Sequence, residues 1–197
     1  VMNGQPHYDF HNRYSRKDGG VVHILWAACW SDEAQARIGV ARDITAQHQA
    51  EAELRFLAHH DPLTRLANRQ HFMARMDEEF SRLRRNAGGQ VSVLVIAIDH
   101  IKQGDEAADD TMLRLFSTLL NDELRKADVG GRIGETDFAV LLPETDLVTA
   151  SVFAKRLRKK SVDASAVLKK RNGFTVSLGV SAICADDASA IDALERA

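Results

Sequence analysis

Acidic and glycine residues interrupt two apolar runs in the stretch from Arg125 to Pro143. The tetrapeptide Gly134-Glu135-Thr136-Asp137 lies between these runs, and such a break is typical of a β-hairpin with a tight turn. The sequence therefore predicts two adjoining strands whose turn carries carboxylates. Because carboxylate oxygens are the ligands that hard divalent cations prefer, this turn is a candidate for a metal and phosphate site.

A second group of candidate residues follows the apolar run from Val91 to Ile98. A continuous apolar segment bounded by Gly88-Gly89 and by Asp99 is typical of a central strand that is buried on both faces. Functional groups in such folds lie where the strand emerges. Asp99 and Lys102 are therefore candidates as well.

Amphipathic helices and one further strand are predicted around these residues. Apolar side chains recur at helical spacing in four segments, and a strand pattern precedes the last part of the chain. The predicted helices cover Ala46–Ala58, a segment beginning near Asn68, Met112–Leu124 and Leu147–Lys160, and the predicted strand covers Phe174–Ala182.

Three motifs resemble those of the GGDEF family, the diguanylate cyclases. The run Asp61-Pro62-Leu63-Thr64-Arg65-Leu66-Ala67-Asn68-Arg69 resembles the family's opening motif, Asp-x-Leu-Thr-x-Leu-x-Asn-Arg, and is the most specific match. The hairpin lies at the position of the family's signature, and Phe174–Ala182 resembles its Thr-x-Ser-x-Gly-Val-Ser strand. The resemblance implies an α/β fold in which a mixed sheet, similar to the palm of nucleotidyl cyclases, is flanked by helices.

The signature departs from the family pattern where the chemistry is expected. It reads Gly134, Glu135, Thr136, Asp137 and Phe138, so Glu135 replaces a glycine and Thr136 replaces a metal-binding acid. Ala97 replaces the metal-bridging aspartate. The resemblance therefore implies no catalytic residue and no metal site. Mg²⁺ and GTP would bind only if nucleotide binding is retained by Asp99, Lys102 and Asp110, the last of which matches a guanine contact of the family.

A different feature indicates ligand binding. Arg125-Lys126-Ala127-Asp128 matches the family's Arg-x-x-Asp inhibitory site, which implies that Arg125 and Asp128 bind cyclic di-GMP, with Arg156 as a further arginine. A guanidinium suits phosphate and the guanine Hoogsteen edge, while a carboxylate suits guanine N–H groups. The alternative is a charge pair at the end of a helix.

The N-terminal part resembles the C-terminal half of a PAS sensor domain. It contains a strand-turn-strand pattern around Lys17-Asp18-Gly19-Gly20 and closes with Gly39-Val40-Ala41-Arg42-Asp43-Ile44-Thr45. Trp26 and Trp30 could line a cofactor pocket, although strand residues of this kind are more often core or dimer contacts.

The predicted domain order is a partial antiparallel PAS sheet over residues 1–45, a linker helix over 46–60 and a degenerate GGDEF domain over 61–197 that lacks its last helix. Leu54 and Leu57 lie on one face of the linker. They would either form a parallel coiled coil in a homodimer or pack on their own domain, since two heptads do not decide between these alternatives.

Composition restricts the partners of this chain. Its 197 residues include 26 basic and 28 acidic side chains, so no overall charge favours nucleic acid or a membrane surface. Two distant cysteines and the absence of a long apolar run favour a cytoplasmic location without a disulfide framework.

Together these observations predict a bacterial cyclic di-GMP signalling module with an inactive, regulatory GGDEF domain. FimX-like PAS–GGDEF–EAL proteins suggest, by analogy, a downstream EAL domain. The alternatives are an active diguanylate cyclase that makes cyclic di-GMP from GTP, and a structural dimerisation scaffold that binds no nucleotide.

Overall fold

The computed structural model of the chain describes residues 10–31, 33–86, 88–99, 106–167 and 174–197. The chain divides into two compact units, one ending at Phe56 and the other beginning at Leu57. None of the helices in these ranges is long and apolar enough to cross a membrane.

The N-terminal unit contains a three-stranded antiparallel sheet in the order β1-β2-β3. The predicted Asp-Gly turn joins the first two strands, and Gly19 in that turn has a φ of 85°, a conformation that glycine adopts without steric cost. The strands are β1 (Phe10–Ser15), β2 (Val21–Ser31) and β3 (Ala36–Asp43). A helix, α1 (Thr45–His59), follows where the linker helix is predicted.

The C-terminal unit is built around a second sheet, whose strand order is β5-β6-β4-β7. Its fold class is α/β as predicted, and its described strands pair antiparallel throughout, although a mixed sheet was expected. In addition, Ala67, which lies outside these strands, forms an isolated parallel bridge with Gly131. The strands are β4 (Val91–Asp99), β5 (Val129–Arg132), β6 (Asp137–Pro143) and β7 (Thr175–Ile183).

Helices cover both faces of this sheet. One buried cluster joins Ile96 and Phe138 to Phe116, so one face packs on the helices of the middle of the chain. The other joins Val93 to Phe72, and so packs on the helix after the opening motif. The helices are α2 (Arg69–Arg85), α3 (Glu106–Glu123), α4 (Leu147–Val167) and α5 (Ala190–Arg196). The family's last helix was expected to be missing, and the described chain ends in the seven-residue α5.

The opening motif positions α1 and α2 through Asn68. Its side-chain oxygen accepts a hydrogen bond from the His71 amide at 2.8 Å and caps α2. Its side-chain nitrogen donates to the carbonyls of Leu57 and Ala58 at 3.2 and 3.1 Å. One residue therefore fixes the end of α1 against the start of α2.

Candidate functional site

The predicted signature hairpin forms, with a turn from Ile133 to Thr136 between β5 and β6. The amides of Ile133 and Gly134 both donate to the Asp137 carbonyl, at 2.8 and 3.1 Å. A Cβ on Gly134 would lie 2.6 Å from a carboxylate oxygen of Asp137, so a larger residue here would require the Asp137 side chain to move. The Glu135 side chain is exposed to solvent at the tip of the turn.

Acidic and hydroxyl side chains lie on one face of the sheet at the end of β4. Ala97 pairs with Asp137 of β6 and with Ser177 of β7, so these three side chains share a face with Asp99. The Asp99 carboxylate accepts hydrogen bonds from the hydroxyl of Ser177 at 2.8 Å and from that of Thr175 at 3.3 Å. Asp99 is therefore already engaged by its own sheet.

This face does not fit a pair of divalent metal ions. Ala97 offers no ligand atom, and the Thr136 carbonyl accepts the Ile98 amide at 3.1 Å. Among the described residues no group of three or more His, Cys, Asp or Glu could hold a metal ion. Of the remaining nucleotide candidates, Asp110 is exposed on α3, and Lys102 lies outside the described residues.

An ion pair between Arg132 and Asp61 joins the hairpin to the opening motif. Arg132 Nη1 lies 3.3 Å from Asp61 Oδ1, and each side chain is only 18% exposed. Arg132 Nη2 donates to the Glu135 carbonyl at 2.7 Å. Burial opposes ionisation of Asp61, but hydrogen bonds from Thr64 and the charge of Arg132 outweigh it and lower the pKa of Asp61 below its usual value.

Arg125 and Asp128 lie together at the end of α3. Asp128 Oδ2 accepts the Arg125 amide at 2.8 Å, and the Asp128 amide donates to the Arg125 carbonyl at 3.0 Å. The two residues therefore interact through the main chain of Arg125, and the alternative of a charge pair between their side chains is not seen among the described contacts. That guanidinium is exposed and has no hydrogen bond or ion pair with any described residue.

Both residues line a surface cavity of about 430 Å³. Such a volume is within the range of small-molecule sites. The cavity carries three full positive charges, from Arg65, Arg125 and Lys126, against the single carboxylate of Asp128. The other lining residues are His60, Leu66, Ala67, His71, Asn121, Leu124, Val129 and Gly130. The cavity is therefore suited to an anion.

Arg156 does not line this cavity. Its Nε donates to Glu123 Oε2 at 2.6 Å, and Lys160 binds the other oxygen of the same carboxylate. The hydrogen bond from Lys160 lowers the pKa of Glu123, whereas burial raises it. The hydrogen bond from Arg156 lowers this pKa further. The structure thus pairs Arg156 with Glu123 instead of bringing it to Arg125 and Asp128.

Sequence reasoning missed the histidines of the cavity, His60 and His71, and the role of Arg65 as a lining residue. Arg65 and His71 belong to segments that were interpreted only as a domain marker and as a core helix. A usable signal was available, because basic residues cluster around the opening motif at His59, His60, Arg65, Arg69 and His71.

Solved structures resemble most of the chain. The coiled coil and GGDEF domain of DgcB from Caulobacter crescentus, in complex with c-di-GMP, superposes with a TM-score of 0.67 at 20% identity, over 78% of this chain and 84% of that one. The FimX GGDEF domain from Pseudomonas aeruginosa superposes with a TM-score of 0.60 at 23% identity, over 70% and 88% of the two chains. At such identities the likeness shows the fold.

Curated relatives match in sequence. Diguanylate cyclase DgcP of Pseudomonas aeruginosa is 36% identical over 121 residues, 59% of this chain and 18% of that protein. Diguanylate cyclase DgcM of Escherichia coli is 34% identical over 146 residues, 72% of this chain and 35% of that protein. This chain therefore spans only a minor part of the length of these relatives.

The family described as diguanylate cyclase, GGDEF domain, matches residues 58–197. That range is most of the C-terminal unit and includes the opening motif, the hairpin and the cavity. The chain belongs to the GGDEF family, whose members act in cyclic di-GMP signalling.

Proposed function

We propose that this chain is a cytoplasmic bacterial signalling module whose GGDEF domain binds cyclic di-GMP and does not synthesise it. The observation that carries the proposal is the guanidinium of Arg125, which has no partner among the described residues and lies beside Asp128 in a basic cavity. The related DgcB domain was solved in complex with c-di-GMP, which supports this choice of ligand.

The chemistry of the two side chains suits this ligand. The planar guanidinium of Arg125 can donate two parallel hydrogen bonds to a phosphate or to guanine O6 and N7. Asp128 uses Oδ2 for the Arg125 amide, and Oδ1 accepts no hydrogen bond from the described residues. That oxygen is oriented by the helix-end turn and can accept from a guanine N–H group.

The absence of expected metal ligands supports the proposed lack of catalysis. Joining two GTP molecules is a phosphoryl transfer, in which a protein contributes chiefly metal binding and positioning. The positions where carboxylates are expected hold Ala97 and Thr136, and Asp99 is hydrogen-bonded to Ser177 and Thr175. Removing one such charge-stabilising group typically lowers the rate by about 10²-fold or more.

Titration calorimetry with cyclic di-GMP tests the binding proposal. The unchanged chain should bind with micromolar affinity, and Arg125→Ala should weaken binding by at least about tenfold, the loss of one charged hydrogen-bonding group. Arg114→Ala is the control, because it removes an exposed arginine of α3 that does not line the cavity. Absence of binding, or equal binding by Arg125→Ala, would refute the proposal.

A second candidate is an active diguanylate cyclase, favoured by the names of the two curated relatives. Incubation with GTP and Mg²⁺, followed by chromatography of the products, separates the candidates. We expect no cyclic di-GMP above the level of a protein-free control. Steady, metal-dependent product formation would establish the cyclase and refute the proposed inactivity.

The remaining proposals concern the rest of the chain. We infer that the β1-β2-β3 sheet is the end of a PAS domain and that α1 mediates a homodimer, because Leu54 and Leu57 on α1 are 67% and 41% exposed. A downstream EAL domain in the parent protein is proposed by analogy alone. If no nucleotide binds, the scaffold function remains, and it would depend on the same helix.

A further inference from the structure

The cavity that contains Arg125 and Asp128 has a second basic wall. This wall comes from other segments of the domain: His60 and Arg65 lie just before and within the opening motif, and His71 belongs to the first turn of α2. None of these three residues is part of the Arg-x-x-Asp motif. Their side chains add a guanidinium and two imidazoles to the surface that faces a ligand.

Arg65 occupies a backbone conformation that normally favours glycine. Its φ is 61°, in the left-handed region that few residues with a Cβ adopt. The turn is held by the Arg65 amide, which donates to the Asp61 carbonyl at 2.8 Å, and by the Thr64 amide, which donates to Asp61 Oδ1 at 2.8 Å. Strain of this kind is often maintained at functional sites. A glycine would fit the turn better but would bring no positive charge to the cavity.

The histidines form a cluster beside this arginine. The ring centroid of His71 lies 4.8 Å from that of His59 and 6.3 Å from that of His60. Burial, the two neighbouring histidines and Arg75 lower the pKa of His71, while Glu78 raises it. The other charged groups around the cavity are Arg65, Arg125, Lys126 and Asp128. In this mostly cationic surrounding, His71 is largely neutral near pH 7 unless an anion is present.

We propose that Arg65 binds a phosphate of the ligand that occupies this cavity, and that His71 strengthens the contact when it is protonated. The inference rests on the proposed function, because the ligand considered is the cyclic di-GMP held by Arg125 and Asp128. It adds a second set of binding residues and makes the affinity dependent on pH.

The sign of the pH effect follows from linkage. An anionic phosphate favours the charged imidazole, so the pKa of His71 in the complex is higher than in the free domain. Affinity should therefore rise as the pH falls through that interval. The phosphodiesters and guanines of cyclic di-GMP do not titrate between pH 6 and 8, so the change belongs to the protein.

Substitution of Arg65 gives the first test, by calorimetry with cyclic di-GMP at pH 7. Arg65→Gly should weaken binding by at least about tenfold, as loss of a charged phosphate contact does, while its thermal midpoint stays equal or rises because glycine relieves the turn. Arg65→Asn serves if the glycine variant is too flexible, since asparagine tolerates the same conformation. Arg85→Met, which removes an exposed arginine from the other end of α2, should leave the affinity unchanged.

The pH series gives the second test. From pH 8 to pH 6 the unchanged chain should bind cyclic di-GMP at least about threefold more tightly, because the complex favours protonated His71. His71→Asn should flatten this dependence.

The outcomes separate this inference from the proposed function. Suppose that binding depends on Arg125, but that Arg65→Gly and Arg65→Asn bind within twofold of the unchanged chain. This result would refute a binding role for the second basic wall and leave the proposed function intact. The same holds if the pH dependence is absent or survives His71→Asn. A chain that binds no cyclic di-GMP at either pH overturns both.

Discussion

Replacing Arg132 by methionine should destabilise the GGDEF domain by about 2 kcal/mol. Methionine preserves most of the apolar stem of the side chain but removes the guanidinium that connects the hairpin to Asp61. Two interactions are lost: the hydrogen bond from Nη2 to the Glu135 carbonyl at 2.7 Å and the ion pair with Asp61. A hydrogen bond from a charged donor contributes about 1.5–3 kcal/mol.

Two features make the expected loss of stability smaller than for a fully buried ion pair, in which removal of one partner costs about 3–5 kcal/mol. Asp61 keeps its hydrogen bonds from the amide and hydroxyl of Thr64, at 2.8 and 2.7 Å, and remains 18% exposed. Arg132 Nε is buried without a hydrogen-bond partner among the described residues, and methionine removes that unfavourable group. The hydrogen bonds that Asp61 retains and the removal of the unpaired Nε therefore reduce the net loss of stability.

The assay is urea unfolding followed by circular dichroism at 222 nm. Helices α2 to α5 all belong to the C-terminal unit, whereas both tryptophans, Trp26 and Trp30, belong to the other unit, so tryptophan fluorescence would report the wrong unit. Arg85→Met is the matched control, and a change within about 0.5 kcal/mol is expected for this exposed position.

A double-mutant cycle with Asp61→Asn isolates the ion pair, and a coupling of about 1 kcal/mol is expected. The coupling should also depend on pH. The folded-state pKa of Asp61 is lowered, so its stabilising contribution is present above the unfolded-state pKa and is lost as the pH falls through the folded-state pKa. A variant within about 0.5 kcal/mol of the unchanged chain, or a coupling near zero at pH 7, would refute the reasoning.

Two further substitutions test the packing and the dimer. Gly131→Ala should destabilise the domain by about 3 kcal/mol in the same unfolding assay, because the added Cβ would lie 2.8–2.9 Å from the buried ring and Cβ of Phe72. The exposed control Arg85→Met should cost less than about 0.5 kcal/mol. Equal stability of the two variants would contradict this reading of β5. If α1 is the dimer interface, Leu54→Glu should convert a dimer to a monomer in analytical ultracentrifugation. Leu147→Glu, at an exposed position of α4, should leave the dimer intact. An unchanged mass for Leu54→Glu would exclude α1 as the interface.

The elements of the fold were predictable because each has a strong local pattern. The run from Val91 to Ile98 is apolar except for Ser92 and forms most of β4, and the break at Gly134–Asp137 marks the hairpin. Helix α4 was predicted to end at Lys160 but extends to Val167, since nothing between these residues is a strong helix breaker. Strand pairing depends on contacts between distant segments, so the antiparallel order was not accessible from local periodicity.

The candidate site was predictable only where a motif covers it. Arg125 and Asp128 were identified from their spacing, and the structure places them in one cavity. Arg156 was expected to join them, but it binds Glu123, because a carboxylate at the end of α3 is within reach. The second wall was missed because His60 and His71 are eleven positions apart and meet only through the packing of α2 on the end of α1.

The positions that depart from the family signature lie where the domain can lose them without losing its fold. The side chains of Ala97, Thr136 and Glu135 are absent from both buried clusters of the sheet. The hairpin itself is held by Arg132, which donates to Asp61 and to the Glu135 carbonyl. The cavity around Arg125 depends on the same part of the chain, through His60 and Arg65. Under the proposed function, a change in the metal ligands would leave the binding surface in place, so a GGDEF domain that makes no cyclic di-GMP would still have the residues to bind it.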